Sequence, residues 1–416
     1  MRIFFYTQGC KVNQVETENL KLEAEHKKFK IVKKIEEANM IVVNSCAVTE
    51  NATKKLKSFL KTSKNKFPDT KLVVSGCGAD MLKEKLSPFA DLIITNAGKN
   101  DIFQFIEKNS NYFEDIENIE HFQEYDEALV KDKTRGFLKI QDGCDETCAY
   151  CIIPKLRGKP RSRNINSVME KFTDFVKNGY KEIVLVGIHI GKYGVDINSS
   201  LKELLKCLSK VEGDFRIRLS SLEVNEIDDE LIDIVLNTEK FCPHFHIPLQ
   251  SGSDKILNLM NRKYLKDEII KTVKKIKDIN PYATVGCDVI VGFPGETEKE
   301  FEETVNTIIE ASINYLHVFP YSKREGTPAF SYKTHVDEIT KNQRAKYLRE
   351  ISNNLRFSYA KKFFGKDVDV LIESENKGLT ANYLEALVLD KSYKNELTKG
   401  KVVSVTFDGN LVVKRN

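Results

Sequence analysis

The chain has 416 residues, of which 41% are hydrophobic and 30% are charged, and its formal net charge is +4. This length favours two to three domains with an ample core, and the composition is that of an ordinary soluble globular protein. No apolar stretch approaches the length of a membrane span, so we expect no contact with a membrane. The mild positive charge permits a nucleic-acid partner without requiring one.

The cysteine content indicates the compartment. Nine cysteines, an odd number, occur without a recognisable secretory signal. Such a chain is typical of a reducing environment, where cysteines bind metals more often than they form disulfides. We therefore expect a cytoplasmic protein that binds metal.

Residues 1–110 are predicted to form an N-terminal domain. Short apolar runs alternate with helical segments, a pattern that favours a parallel sheet with helices on both faces. The predicted strands are Arg2–Thr7, Met40–Val43, Lys71–Val74 and Asp91–Thr95, and the predicted helices are Asn13–Lys27, Glu50–Lys66 and Asp101–Lys108.

Three cysteines of this domain fall just past the ends of predicted strands. They are Cys10, Cys46 and Cys77. The carboxyl ends of parallel strands lie at one edge of a sheet, where such folds place ligands, so the three thiols are expected to converge. A single one of them would be explained as an ordinary buried cysteine. Three at equivalent positions favour a metal site.

Residues 111–134 are predicted to be a linker. Between Glu114 and Lys133 there are eight acidic and two basic residues, with no apolar period. Such a segment is typical of a solvated connection between domains, and we assign it no function.

Residues 135–364 restart the alternation of strands and helices and end in a long helical connector. Six repeats are too few for an eight-stranded barrel and predict a partial (β/α)₆ barrel, whose chemistry would lie at the carboxyl ends of its strands. The predicted strands are Phe137–Gln141, Glu182–Gly187, Arg216–Leu222, Phe245–Leu249, Thr284–Val291 and Tyr315–Tyr321.

A dense group of cysteines follows the first of these strands. Cys144, Cys148 and Cys151 are spaced C-x₃-C-x₂-C, and Tyr150 precedes the last of them. A structural zinc site has four closed protein ligands, and no fourth Cys or His follows within twenty residues. On a [4Fe–4S] cluster, three cysteines leave one iron free to bind a small molecule. Free or buried thiols are the alternative.

A run of cations comes directly after the cysteines. Pro and Gly interrupt it, so an extended segment is expected, and its position beside the predicted site favours contact with nucleic-acid phosphates over a merely solvated face. The cations are Lys155, Arg157, Lys159, Arg161 and Arg163.

Residues 365–416 change to short β-strands. Val368–Glu373, Glu385–Asp390 and Val402–Phe407 are strand-like, and Asp408-Gly409 is a hairpin signal. Several short strands in so few residues predict a small barrel.

These segments together resemble the radical S-adenosylmethionine (radical SAM) methylthiotransferases. The resemblance rests on C-x₃-C-x₂-C and on the segments around the N-terminal cysteines. It implies two [4Fe–4S] clusters, S-adenosylmethionine (SAM) as cofactor, an electron donor such as a flavodoxin or ferredoxin, and a C-terminal TRAM-like RNA-binding barrel. Gly9-Cys10-Lys11-Val12-Asn13 and Gly187-Ile188-His189-Ile190-Gly191 are similar to the branch that acts on N6-threonylcarbamoyladenosine at position 37 of tRNA.

The resemblance also implies roles for individual residues. His189, within the second of those segments, is equally well explained as an ordinary loop histidine. In the C-terminal barrel, exposed Lys377 and Tyr383 are the candidates for RNA contact. The residues expected to contact SAM are Tyr150, Gly187, Ser220, Glu223, Gln250, Arg262, Ile290 and Phe319.

The predicted activity is addition of a methylthio group to C2 of that adenosine. SAM cleavage at the cluster of Cys144, Cys148 and Cys151 would form a 5′-deoxyadenosyl radical, and the second cluster would supply or carry sulfur. Two alternatives stay open. One is the same chemistry on isopentenyladenosine or on a ribosomal-protein side chain, and the other is a non-catalytic RNA-binding protein with structural zinc.

Overall fold

The structure is a computed structural model that describes residues 1–124 and 134–415. Part of the predicted linker, residues 125–133, lies outside the described residues. None of the described helices is both long enough and apolar enough to cross a membrane.

The N-terminal part is a five-stranded parallel sheet in the order β2-β1-β3-β4-β5. The central strand is buried along its whole length because helices cover both faces, as its run of apolar residues predicts. A two-residue edge strand and a short helix starting at Cys77 were not predicted, since neither is long enough to show a period. The strands are β1 (Arg2–Thr7), β2 (Lys30–Ile31), β3 (Met40–Ser45), β4 (Lys71–Gly76) and β5 (Leu92–Ile94), and the helices are α1 (Lys11–His26), α2 (Glu50–Lys66), α3 (Cys77–Leu82) and α4 (Ile102–Lys108).

The central part contains six parallel strands in two halves, β10-β9-β6 and β11-β12-β13. One apolar core holds the halves together, and the isolated bridge between Ile217 and Phe241 lies near the join. The predicted α/β fold with a six-stranded partial barrel is confirmed. Its strands are β6 (Arg135–Lys139), β9 (Glu182–Val186), β10 (Arg216–Leu219), β11 (His244–Gln250), β12 (Thr284–Val291) and β13 (Tyr315–Pro320).

Helices cover the outside of the central barrel, and a small hairpin follows its first strand. The hairpin strands are β7 (Gln141–Asp142) and β8 (Arg161–Ser162), with the short helix α5 (Ile153–Arg157) between them. The outer helices are α6 (Ile165–Lys177), α7 (Leu201–Ser209), α8 (Asp229–Asn237), α9 (Asp254–Leu259), α10 (Lys266–Ile279), α11 (Glu298–Glu310) and α12 (Glu338–Lys361).

The C-terminal part is a closed five-stranded barrel in the order β14-β15-β16-β18-β17. The small barrel predicted from the sequence is confirmed, although its second strand was missed because it follows the first after only two residues. The strands are β14 (Asp367–Ser374), β15 (Lys377–Thr380), β16 (Glu385–Val388), β17 (Leu397–Val405) and β18 (Leu411–Arg415).

Two arginines of β10 join the central and C-terminal barrels. Arg216 donates to the carbonyl of Leu379 at 2.8 Å, and Arg218 donates to the carbonyls of Ala381 and Thr380 at 3.0 and 3.2 Å. Both guanidinium groups also bond the fully buried carboxylate of Glu182. Glu182 therefore holds the two arginines in the orientation that docks the C-terminal barrel.

The stability of this junction should depend on pH. Burial alone would raise the pKa of Glu182, but Arg218 and Arg216 outweigh burial and hold it at about 2. Because this pKa lies below that of the unfolded chain, the carboxylate contributes about 3 kcal/mol at neutral pH, and this is lost as pH falls from about 4.5 to 2. We expect Glu182→Gln to lower the thermal midpoint at pH 7. The difference from the unsubstituted protein should shrink through that acid range, and a difference independent of pH would contradict this assignment.

Candidate active site

The three N-terminal cysteines converge, as their positions at strand ends predict. A Cβ added to Gly9 would lie 2.9 Å from Cβ of Cys46, which brings the loop of Cys10 against that of Cys46. Burial, with smaller contributions from the neighbouring Cys77 and Cys10, raises the pKa of Cys46 to about 11. All three are free thiols. Three free thiols gathered in one place suit a shared metal centre.

Asn13 ties the loops of this site together. Its side-chain amide donates to the carbonyls of Gln8 at 3.0 Å and Ser45 at 3.1 Å. These carbonyls belong to the segments that end β1 and β3, immediately before Cys10 and Cys46. The amide thus fixes the distance between two of the three thiols.

Cys144, Cys148 and Cys151 lie in the loop between β7 and α5, beyond the carboxyl end of β6. The backbone N–H of Cys151 donates to the carbonyl of Cys148 at 3.0 Å, and that of Cys144 donates to Gly158 at 2.9 Å. A Cβ on Gly143, whose φ is +77°, would lie 1.9 Å from the carbonyl of Lys159. The loop is therefore closely wrapped, and its three free thiols fit an iron–sulfur cluster.

Polar side chains from other strand ends surround these thiols. Arg262 donates to Sγ of Cys148 at 3.0 Å and forms an ion pair with Glu223. The Nδ1 atom of His189 lies 3.5 Å from Sγ of Cys144, and its Nε2 atom lies 2.7 Å from Oε1 of Glu226. The structure thus brings His189, which the sequence alone did not distinguish from an ordinary loop residue, to the cysteine loop.

Gly191 makes room for this histidine contact. A Cβ at Gly191 would lie 1.8 Å from Oε2 of Glu226. The glycine that ends the Gly-Ile-His-Ile-Gly segment is therefore required by the carboxylate that holds His189. Glu226 itself was missed in the sequence because it lies 37 residues away, on the next loop.

The residues predicted to contact SAM lie at the same end of the central barrel. Tyr150, Glu223 and Arg262 adjoin Cys148, and the hydroxyl of Ser220 is buried without a hydrogen-bond partner among the described residues. Such an unsatisfied hydroxyl is compatible with a bound ligand. The other four are Gly187, Gln250, Ile290 and Phe319, at or near the carboxyl ends of their strands. Their contacts with SAM stay predictions.

The prediction that Arg157 contacts RNA is wrong. The side chain is 1% exposed and lies between the N-terminal sheet and the central barrel. It donates to Glu16 at 2.5 Å, to Oδ1 of Asn13 at 2.8 Å and to Sγ of Cys77 at 3.4 Å. A side chain sealed inside the protein cannot reach a phosphate.

Arg161 and Arg163 are also misassigned, because they are 2% and 0% exposed. Arg161 donates to the carbonyls of Ile119 and Arg157, and Arg163 donates to Ser167 and pairs with Glu124. Only Lys155 and Lys159 of the predicted cationic run are exposed, so only they stay candidates for RNA contact.

Arg157 belongs to a buried charge network. Burial alone would raise the pKa of Glu16, but Arg157, Lys139 and Lys99 outweigh it and hold the pKa well below its usual range. Asp142 pairs with Lys139 at 2.7 Å and with Arg157 at 3.3 Å. Arg157 also donates to Sγ of Cys77, so a buried cation would stabilise a thiolate at the N-terminal cysteine site.

The two C-terminal candidates differ in exposure. Lys377 is exposed, whereas Tyr383 is half-buried and packs against His244, with ring centroids 4.7 Å apart, and under Arg218 at 5.1 Å. The expectation of an exposed Tyr383 is therefore wrong. Both residues nevertheless line a cavity of about 720 Å³ between the central and C-terminal barrels.

Comparison with known proteins defines the class. The Radical SAM superfamily matches residues 138–308, and the family described as "Uncharacterized protein family UPF0004" matches residues 2–95. Among solved structures, the radical SAM methyltransferase TsrM from Kitasatospora setae shares the fold, with a TM-score of 0.57 at 11% identity over 76% of this chain and 72% of TsrM.

Curated relatives cover nearly the whole chain. The threonylcarbamoyladenosine tRNA methylthiotransferase MtaB of Aquifex aeolicus is 34% identical over 97% of this chain and 100% of its own length. MtaB of Bacillus subtilis is 37% identical over 97% and 93%. A tRNA-2-methylthio-N(6)-dimethylallyladenosine synthase of Alkaliphilus oremlandii is 35% identical over 89% and 82%. The chain belongs to the radical SAM methylthiotransferase family, and this membership implies a [4Fe–4S] cluster and SAM.

Proposed function

We propose that this enzyme adds a methylthio group to C2 of N6-threonylcarbamoyladenosine in tRNA. The observation that carries the proposal is the junction of two separate three-thiol sites, one in the N-terminal sheet and one in the central barrel. Ile152 and Leu156, just beyond Cys151, pack with Ala47 and Cys77 in one apolar cluster. Full-length similarity to the MtaB relatives supports the choice of substrate.

Each site has its own part in the proposal. Cys144, Cys148 and Cys151 would hold the cluster that supplies the electron for SAM cleavage to methionine and a 5′-deoxyadenosyl radical. That radical would take a hydrogen atom from a carbon that no ordinary side chain can activate. Cys10, Cys46 and Cys77 hold a second [4Fe–4S] cluster for sulfur delivery. The buried guanidinium of Arg157, which donates to Sγ of Cys77, supports an anionic centre there.

The proposed surface for tRNA extends from the cysteine loops to the C-terminal barrel. Lys155 and Lys159 are exposed beside the cysteine loops, and Lys377 is exposed on the C-terminal barrel. Tyr383, although half-buried, lies on the cavity that separates the barrels. Electrons are supplied by a small donor protein such as a flavodoxin or ferredoxin.

The proposal is tested by mass spectrometry of tRNA nucleosides from cells with and without the gene. We expect 2-methylthio-N6-threonylcarbamoyladenosine to disappear from the deletion strain and to return with the plasmid-borne gene. Its unchanged level would remove the proposed substrate. Loss of the 2-methylthio form of isopentenyladenosine instead would assign the enzyme to the activity named in the Alkaliphilus relative.

A further inference from the structure

Three polar side chains form one layer across the interior of the central barrel. His246, Asp288 and His317 come from the adjacent strands β11, β12 and β13. Nε2 of His246 lies 2.9 Å, and Nδ1 of His317 lies 3.3 Å, from Oδ1 of Asp288. We call these three residues the lumen layer.

A second contact fixes the orientation of the lumen layer. Nδ1 of His246 lies 3.0 Å from the hydroxyl of Tyr315, so both nitrogens of this buried imidazole are occupied. Oδ2 of Asp288 has no hydrogen bond with any residue that the structure describes, and His317 is 49% exposed. Oδ2 of Asp288, held in a fixed orientation, and the accessible imidazole of His317 therefore face the open interior of the barrel.

An unpaired cation faces the same space from the first residue of helix α1. Lys11 directly follows Cys10, and its Nζ atom lies 6.0 Å from the ring centroid of Phe137 on β6. The side chain of Lys11 is exposed to solvent. Its pKa is nevertheless influenced by four charged neighbours, as expected at the mouth of a cavity: Arg135, Arg218, Glu182 and Asp288. Across the described part of the chain it has no ion pair or hydrogen bond.

Along the strands, the lumen layer lies two residues nearer the amino ends than the predicted SAM site. Ile290 and Phe319 follow Asp288 and His317 by two residues on the same strands, so they point into the same interior about 7 Å away. The threonylcarbamoyl group reaches four bonds from N6 to its carboxylate carbon, an extent of about 5 Å by the dimensions of an extended chain. An adenine held beside the SAM site can thus place this substituent at the level of the lumen layer.

We propose that the lumen layer and Lys11 form the pocket that selects the polar N6 substituent of the adenosine, with Lys11 binding its carboxylate. This inference rests on the proposed function. Asp288 accepts a hydrogen bond from the hydroxyl or the carbamoyl N–H, and His317 completes the polar wall. An isopentenyl group offers no partner to any of these side chains. A site built for polar groups rejects such an analogue because its own charges would be desolvated without compensation.

The test isolates the charge of the substituent. Reconstituted holoenzyme is titrated with three anticodon stem-loop RNAs, carrying N6-threonylcarbamoyladenosine, its carboxylate methyl ester, or unmodified adenosine. The unsubstituted enzyme should bind the acid about 10 to 100 times more tightly than the ester, the range expected for a hydrogen bond to a charged group. Lys11→Met should bring the ratio close to 1 without changing the affinity for the ester.

Control variants separate this role from structural damage. Lys21→Met, on the same helix but paired with Glu18 at the surface, should keep the full preference for the acid. Because Lys11 adjoins Cys10, iron content and thermal midpoint are measured for every variant. Asp288→Asn lies away from both cysteine sites and should weaken the acid and the ester alike, leaving unmodified RNA unaffected.

Each contrary result has its own meaning. An unchanged preference for the acid in Lys11→Met would overturn the inference while leaving the proposed function intact. Equal binding of all three RNAs by the unsubstituted enzyme would instead count against the proposed function. The ligand atoms of the lumen layer lie within 4.8 Å of one another, a spacing that a divalent cation also accepts. A preference that appears only after zinc is added would overturn the inference in favour of a metal site.

Discussion

Replacing Arg157 by methionine is expected to destabilise the enzyme by about 3–5 kcal/mol, because it leaves two buried carboxylates short of their shared cation. Glu16 and Asp142 both bond this guanidinium in the interior between the N-terminal sheet and the central barrel. The same change removes the donor to Sγ of Cys77. We therefore expect a lower urea midpoint together with a loss of iron from the N-terminal cysteines.

The matched control is Lys155→Met, two residues earlier on the same helix. Lys155 is exposed and donates only to the carbonyl of Gly326 among the described residues, so its replacement should change stability by no more than about 0.5 kcal/mol. Unfolding is followed by circular dichroism and iron is counted in parallel. Equal stability of the two variants would show that the Arg157 guanidinium does not stabilise the interior between the N-terminal sheet and the central barrel.

Cys148→Ala and Cys77→Ala are expected to divide the reaction into two separable parts. Cys148→Ala should lose 5′-deoxyadenosine formation and keep about four irons at the N-terminal site. Cys77→Ala should still cleave SAM but form no methylthiolated nucleoside, because the centre proposed for sulfur delivery is lost. Each half-reaction would thus depend on one set of three cysteines.

The measurements are anaerobic iron and sulfide content, 5′-deoxyadenosine yield and nucleoside mass spectrometry on the same preparations. Cys207→Ala serves as the control, since this thiol lies on α7 away from both sites and should change none of the three. Normal 5′-deoxyadenosine output from Cys148→Ala would refute the assignment of the SAM-cleaving site. Methylthiolated product from Cys77→Ala would refute the second cluster.

The backbone of the fold was predictable because its signals are local. Thr284–Val291 was predicted with the observed bounds, since its residues are mostly apolar, as in a buried parallel strand, and Gly292-Phe293-Pro294-Gly295 ends the run. The convergence of Cys10, Cys46 and Cys77 followed from the rule that parallel strands end at one edge. The two-residue strand Lys30–Ile31 had no such signal.

The buried cations were mispredicted because their partners are distant in the sequence. Arg157 pairs with Glu16, 141 residues away, so its charge looked unpaired within its own segment. One signal was available in α1, where Asn13 and Glu16 occupy the buried face beside Val12 and Val15. Polar residues at apolar positions of a helix indicate a buried polar partner.

The lumen layer was missed for a related reason. His246, Asp288 and His317 each interrupt a different apolar strand, and a single polar residue in a strand reads as a local irregularity. Their common face becomes visible only when the register of β12 with β13, which pairs Asp288 with His317, is known. The sequence predicts no separate role for Lys11, because a single lysine beside a cysteine gives no sign that its charge is unpaired among the described residues.

The contacts that dock the C-terminal barrel have an evolutionary consequence. Arg216 and Arg218 donate to main-chain carbonyls, which every amino acid supplies. These hydrogen bonds therefore impose almost no constraint on the side chains of residues 379–381. Substitution at these three positions can therefore proceed without loosening the arginine contacts. These hydrogen bonds are therefore kept in any variant that preserves the course of this one turn and retains Glu182 and the two arginines.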